Sequence, residues 1–184
     1  RAMSTTVLPR EAELRNWAAR GLEAKGEVLL DNMSRLKAVV TRAAFPATAH
    51  IRCRKDEQYR YVVDVDAEMT VTLQCQRCLG DCEKKLTTSS TLCVLWTEDV
   101  VNELPVDYDP LIAGDVSNLH AIIEEELLLA LPAVPMHEIG SCGQVPTVFG
   151  DLSGDLIVEK ENPFAALKGL LKNTTSAADK EEID

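Results

Sequence analysis

Cys75 and Cys78 are separated only by Gln76 and Arg77, and this C-x2-C spacing is the most chemically suggestive feature of the chain. Two thiolates in a tight turn can grip one face of a zinc ion, and a tetrahedral site then needs two more donors. His137 and Cys142, separated by four residues, can share an ion with them, and Cys82 is a further candidate. Cys75, Cys78, His137 and Cys142 are therefore the candidate metal ligands, with Zn the candidate ion. A redox dithiol is the competing use of the spacing. Such pairs usually open a helix that lowers the thiol pKa, whereas a hairpin is expected here. The plain alternative makes Cys75 a buried strand residue and Cys78 a turn thiol. Cys53 and Cys93 fall within strand patterns and read as small core hydrophobes.

Other ionisable groups offer less. Glu124, Glu125 and Glu126 are consecutive, and successive helix positions point about 100° apart. Their carboxylates cannot converge on one atom, so they read as a solvated helix face open to a basic partner. His50 and His120 have no acidic or thiol neighbour in sequence and are expected to be structural. Arg10, Arg15 and Arg20 recur on the polar side of the first expected helix and are candidate phosphate contacts. A Gly-rich phosphate loop, G-x-S-x-G and H-E-x-x-H are all absent, so no catalytic constellation is legible.

Several elements must position these residues. Pro9 suits the first turn of a helix, in which Leu14, Trp17, Ala18, Gly21 and Leu22 recur at helical spacing. Asp31 or Asn32 can cap a second helix reaching about Arg42, with Met33, Leu36, Val39 and Val40 inward. The clearest signal follows. Tyr61, Val63, Val65, Ala67, Met69, Val71, Leu73 and Cys75 alternate with polar residues, which predicts a strand with one buried face. Ala47 to Cys53 alternate likewise before it, and Leu86, Leu92, Val94 and Trp96 after it, so three strands form a meander. The acidic segment 97–116 reads as a loop. Asp115 or Ser117 can cap a helix through Leu131 that Pro132 ends. Asn162-Pro163 starts a short helix through Phe164 and Leu171, and the polar stretch 173–184 reads as disordered.

Bulk properties narrow the function classes. The 184 residues, 46% hydrophobic but only 4% aromatic, suit one domain with an aliphatic core. The polar start lacks an apolar signal segment. Arg1-Ala2 before Met3 has the look of a tag remnant. Six cysteines in such a chain argue for reduced thiols or a metal, and for a cytoplasmic location. No apolar run reaches the roughly 20 residues that span a bilayer. The net charge of −11 is uneven, with 12 Lys/Arg against 7 Asp/Glu in residues 1–60 and 3 against 15 in residues 61–150. That sign opposes general adhesion to nucleic acid and favours a basic partner.

Four segments occur together in order: Val71 to Cys78, Glu124 to His137 with Cys142 after it, Val148-Phe149-Gly150, and Asn162 to Leu167. As a set they resemble the bacterial YceD family, the large ribosomal RNA subunit accumulation proteins, from about Leu14 to Leu171. Cys75, Cys78, Glu125, Pro132, Pro135, His137, Cys142, Asn162, Pro163 and Phe164 match positions that recur in it. The resemblance implies a role in accumulation of 23S ribosomal RNA and in large-subunit biogenesis, and supplies no catalytic residues. Some relatives carry further cysteines after the Pro-rich turn, where this chain has only Cys142.

The expectation is thus one α+β domain over residues 3–172. An antiparallel β-meander, a partly closed barrel-like sheet, packs with N-terminal, central and C-terminal helices. The expected function is non-enzymatic: promoting 23S ribosomal RNA accumulation or processing. A ribonuclease acting on precursor RNA and a zinc-stabilised protein adaptor are the rivals. Expected partners are a large-subunit ribosomal protein or a processing factor, with ribosomal RNA met directly or indirectly. Arg10, Arg15, Arg20, Glu124, Glu125, Glu126, Asn162 and Phe164 are the candidate interaction residues.

Overall fold

The computed structural model describes residues 7–143, all within one compact unit. The expected helix from Asn162-Pro163, the polar tail, and the candidates Asn162 and Phe164 lie outside the described residues. In chain order the elements are β1 (Glu11–Ala12), α1 (Leu14–Arg20), β2 (Glu23–Val28), a 3-10 turn (Leu30–Asn32) and α2 (Ser34–Val39). Then come β3 (Arg42–Ala43), β4 (Ala47–Lys55), β5 (Tyr61–Gln74), β6 (Asp81–Leu95) and a second 3-10 segment (Glu98–Glu103). β7 (Asp109–Ile112), β8 (Ser117–Asn118) and α3 (Leu119–Leu129) complete the order.

The fold is α+β. β4, β5 and β6 form the expected antiparallel meander inside a sheet ordered β2-β4-β5-β6-β7, with β3 beside β5. Only the β6–β7 pairing is parallel in that sheet, and β1 pairs with β8 apart from it. Among the described residues the hydrogen-bonded path ends at β2 and β7 without returning on itself, so the sheet is open rather than barrel-like. Alternation does the sorting along β5. Val63, Val65 and Val71 are fully buried on one face, while Asp64, Asp66 and Glu68 stand on the other. α1 lies against β4 and β5, and α3 against β5 and β6. Gly26, Ala49, Ala67 and Thr88 align across four strands, a row of small side chains on the helix-covered face. α3 comes close enough there for Thr88 Oγ1 to donate to Glu126 Oε2 at 3.3 Å.

The elements differ from expectation where tertiary contacts override local pattern. Pro9 precedes β1 instead of opening a helix, because residues 11–12 are drawn into pairing with Ser117-Asn118. α1 stops at Gly21, whose φ of 64° and amide bonds to Trp17 and Ala18 carbonyls make a left-handed cap. Residues 23–28 become the edge strand β2, which their mixed polarity concealed. The second helix spans only Ser34–Val39. Val40 is buried beyond its end and Val39 is exposed. The supposed loop 97–116 contains β7. Asn118, and neither Asp115 nor Ser117, caps α3 by accepting from the Ala121 amide at 3.2 Å. Trp96 is 61% exposed, not core.

The solvated acidic face is also corrected. Glu124 and Glu126 are buried, at 6% and 7% exposure, and only Glu125 is open. Glu124 Oε1 accepts from the amides of Arg35 at 2.6 Å and Leu36 at 3.1 Å. It thereby satisfies first-turn donors of α2 from another helix, the task a local capping side chain normally performs. Among the described residues no helix is long and apolar enough to cross a membrane.

Candidate metal centre

β5 ends at Gln74, and residues 75–80 form the turn that leads into β6. The Cys75 amide donates to the Gly80 carbonyl and the Leu79 amide to the Cys75 carbonyl, both at 2.9 Å. Leu79 adopts a left-handed φ of 61°, a cost of about 1–2 kcal/mol for a non-glycine residue, and the turn closes around it. α3 ends at Leu129, and Pro132 follows too soon for the helix to resume. The chain then crosses to the turn. The Gln76 amide donates to the Pro135 carbonyl at 2.8 Å, and Arg77 Nη2 to the His137 carbonyl at 2.9 Å.

These bonds bring together the four candidates the sequence singled out. One donor atom from each of Cys75, Cys78, His137 and Cys142 lies within 4.8 Å of every other. Cys75 Sγ is 3.8 Å from Cys142 Sγ, and His137 Nδ1 is 3.4 Å from Cys78 Sγ and 3.6 Å from Cys142 Sγ. A tetrahedral ion with metal–sulfur bonds near 2.3 Å and metal–nitrogen bonds near 2.05 Å would set those edges at about 3.8 and about 3.6 Å. The donor set and its spacings fit a metal ion. His137 Nε2 sits 2.8 Å from the Asp81 carbonyl, an acceptor that fixes the proton on Nε2 and leaves Nδ1 free to ligate. All six described cysteines are unpaired by disulfides.

Electrostatics favour the same use. Burial opposes ionisation of Cys75. Amide donors at Cys78, Arg77 and His137 overcome it and bring the thiol down to about 5. Cys142 is pushed up, first by burial and then by the neighbouring thiols Cys78 and Cys75, with Arg77 acting in the opposite direction. A cation among them would relieve that crowding of sulfur. Cys82 takes no part. It is buried within β6 opposite Leu73. Cys53 is a core thiol pushed up to about 12 by burial, and Cys93 is buried at the other end of the meander.

Among the described residues the remaining candidates do not converge on this centre. Arg15 stacks over Trp96, 3.2 Å from the ring centroid, and donates to the carbonyls of Ala113 and Gly114 at 3.2 Å. It anchors the segment after β7, while Arg10 and Arg20 are exposed. Glu125 pairs with Arg35 at 2.7 Å. His50 meets Glu23 at 3.0 Å across β2–β4, and His120 Nε2 meets the Leu8 carbonyl at 3.1 Å. The surrounding groups, Arg77 and the carbonyls of Asp81 and Pro135, were not singled out. Backbone carbonyls leave no mark in residue type, and Arg77 was hidden inside the pair it serves.

The sequence family described as "Large ribosomal RNA subunit accumulation protein YceD" matches residues 63–171, a span that contains all four clustered residues. The protein of Haemophilus influenzae with that name is 30% identical over 172 residues, covering 91% of this chain and 98% of its own. No solved structure matches. The chain belongs to the YceD family.

Proposed function

We propose that this chain is a non-enzymatic factor in the accumulation of large-subunit ribosomal RNA, acting in the cytoplasm during ribosome biogenesis. Membership of the family carries the reading, since the family and the Haemophilus influenzae relative are both named for that process. A zinc ion on Cys75, Cys78, His137 and Cys142 then serves structure. Structural zinc sites are closed by four protein ligands, whereas catalytic ones keep a position for water or substrate. Its task is to join the β5–β6 turn to the segment after α3. Recognition falls to the acidic surface, which attracts a basic ribosomal protein or processing factor, and to the exposed Arg10 and Arg20, which can approach RNA.

A crosslinking pull-down from cells, with protein and RNA contacts scored separately, tests the assembly role. Enrichment of large-subunit proteins or their RNA is expected, and its absence would sink the reading. Incubation of purified protein with precursor RNA, with and without divalent metal, tests the non-enzymatic part. Reproducible cleavage that is lost on substituting Glu125 or His137 would replace the factor by a ribonuclease.

A further inference from the structure

We infer that Arg77 is the electrostatic partner of the metal centre, the cation that balances its charge and thereby sets how firmly the ion is held. The inference rests on the zinc reading above. A divalent ion on three thiolates and one neutral imidazole leaves a net charge of −1. Such a centre, half-buried at Cys78, His137 and Cys142, is stabilised by a nearby cation and is open to protonation and loss of metal without one.

Arg77 lies in the turn between the ligand residues Cys75 and Cys78 and reaches a third. Its guanidinium holds the His137 carbonyl at 2.9 Å. It enters none of the ion pairs among the described residues. Its Nε is buried without a hydrogen-bond partner there. A guanidinium held that way, with no carboxylate opposite, is costly unless another negative group faces it. The thiolate-bound ion supplies that group. Arginine suits the role because it stays charged beside an acidic or basic neighbour alike.

The full chain, loaded with one equivalent of zinc, is compared with Arg77→Lys and Arg77→Gln. Two readouts are followed: zinc release to a chelating dye, and alkylation of Cys78 and Cys142 by N-ethylmaleimide. Release from Arg77→Gln is expected to be about tenfold faster or more, as for other outer-shell partners, with alkylation accelerated in parallel. Arg77→Lys keeps the charge and should stay within about threefold of wild type on the same scale. Unchanged release and alkylation in Arg77→Gln would overturn the inference and leave the zinc reading intact. Lysine behaving as glutamine does would also overturn it, because geometry at the His137 carbonyl would then be the cause. Wild-type protein that takes up less than about one-tenth of an equivalent overturns both readings, since no thiolate-bound ion remains to be balanced. If Arg77→Gln does not fold, release from wild type across salt concentrations decides. Screening must speed release, and salt-independent release refutes the charge account.

Discussion

At the scale of single residues, this chain gives like side chains unlike tasks. Three consecutive glutamates divide into two buried bonds and one surface ion pair. Truncating Glu124→Ala strips the amides of Arg35 and Leu36 of their acceptor and should cost about 1–3 kcal/mol. Glu125→Ala, exposed beside a half-exposed arginine, should stay within about 0.5 kcal/mol of wild type. Denaturant midpoints of the two variants measured together separate these outcomes. The cysteines divide in the same way. Cys75 is depressed from 9.0 to about 5 by amide donors, and Cys53 is raised to about 12 by burial. A depressed thiol stabilises the fold above its unfolded pKa and loses that contribution as pH falls through the folded value. A raised thiol contributes below its unfolded pKa and loses it as pH climbs through the folded value. In metal-free protein, ultraviolet thiolate absorbance should therefore disappear on acidification near about pH 5. Cys75→Ser should abolish that step, whereas Cys53→Ser should leave it unchanged.

At the scale of elements, the ends of helices show most clearly what holds them. α1 has neither a side-chain cap nor an acidic residue in its first turn, and relies on Gly21 at its other end. A Cβ added at Gly21 meets nothing within 4 Å, so only its φ of 64° resists substitution. Gly21→Ala should destabilise by about 1 kcal/mol, and Gly21→Asn by less, because asparagine tolerates that conformation. Thermal melts in which alanine and asparagine lower the midpoint equally would refute the left-handed-cap account. The meander was legible because strict alternation over β5 leaves one solution for which face is buried. β2 and β7 were not, since an edge strand with mixed exposure has no period to read. α2 was overextended because Thr41 and Arg42 are drawn into pairing with Thr72 of β5 at its end, while its first-turn donors are met by Glu124, 88–89 residues away.

Across the whole molecule, the cluster of Cys75, Cys78, His137 and Cys142 joins the far end of the meander to the chain leaving α3. Removal of the proposed zinc ion with a chelator should speed hydrogen exchange at the Gln76 amide, which is bonded to Pro135. Amides of Val63 and Val65 in the core of β5 should keep the protection of global stability. Equal loosening of both regions would show that the ion supports the whole fold rather than one seam. The charge distribution works at this scale too. The basic excess of residues 1–60 is largely spent on ion pairs such as Arg52–Asp66, Arg54–Asp64 and Arg35–Glu125.

The sequence by itself determined the antiparallel meander, the core face of its long strand, and the identity of all four clustered residues. Those features follow from periodicity and from donor chemistry, which belong to the residues themselves. Tertiary structure decided that the four donors meet, since the crossing after Pro132 is held by carbonyls of Pro135, His137 and Asp81 that any residue type could present. It also decided that Arg15 anchors a loop, that Glu124 caps a distant helix and that Arg77 holds the His137 carbonyl. Each of these depends on which neighbours desolvate a charge, and burial is a property of the assembled fold.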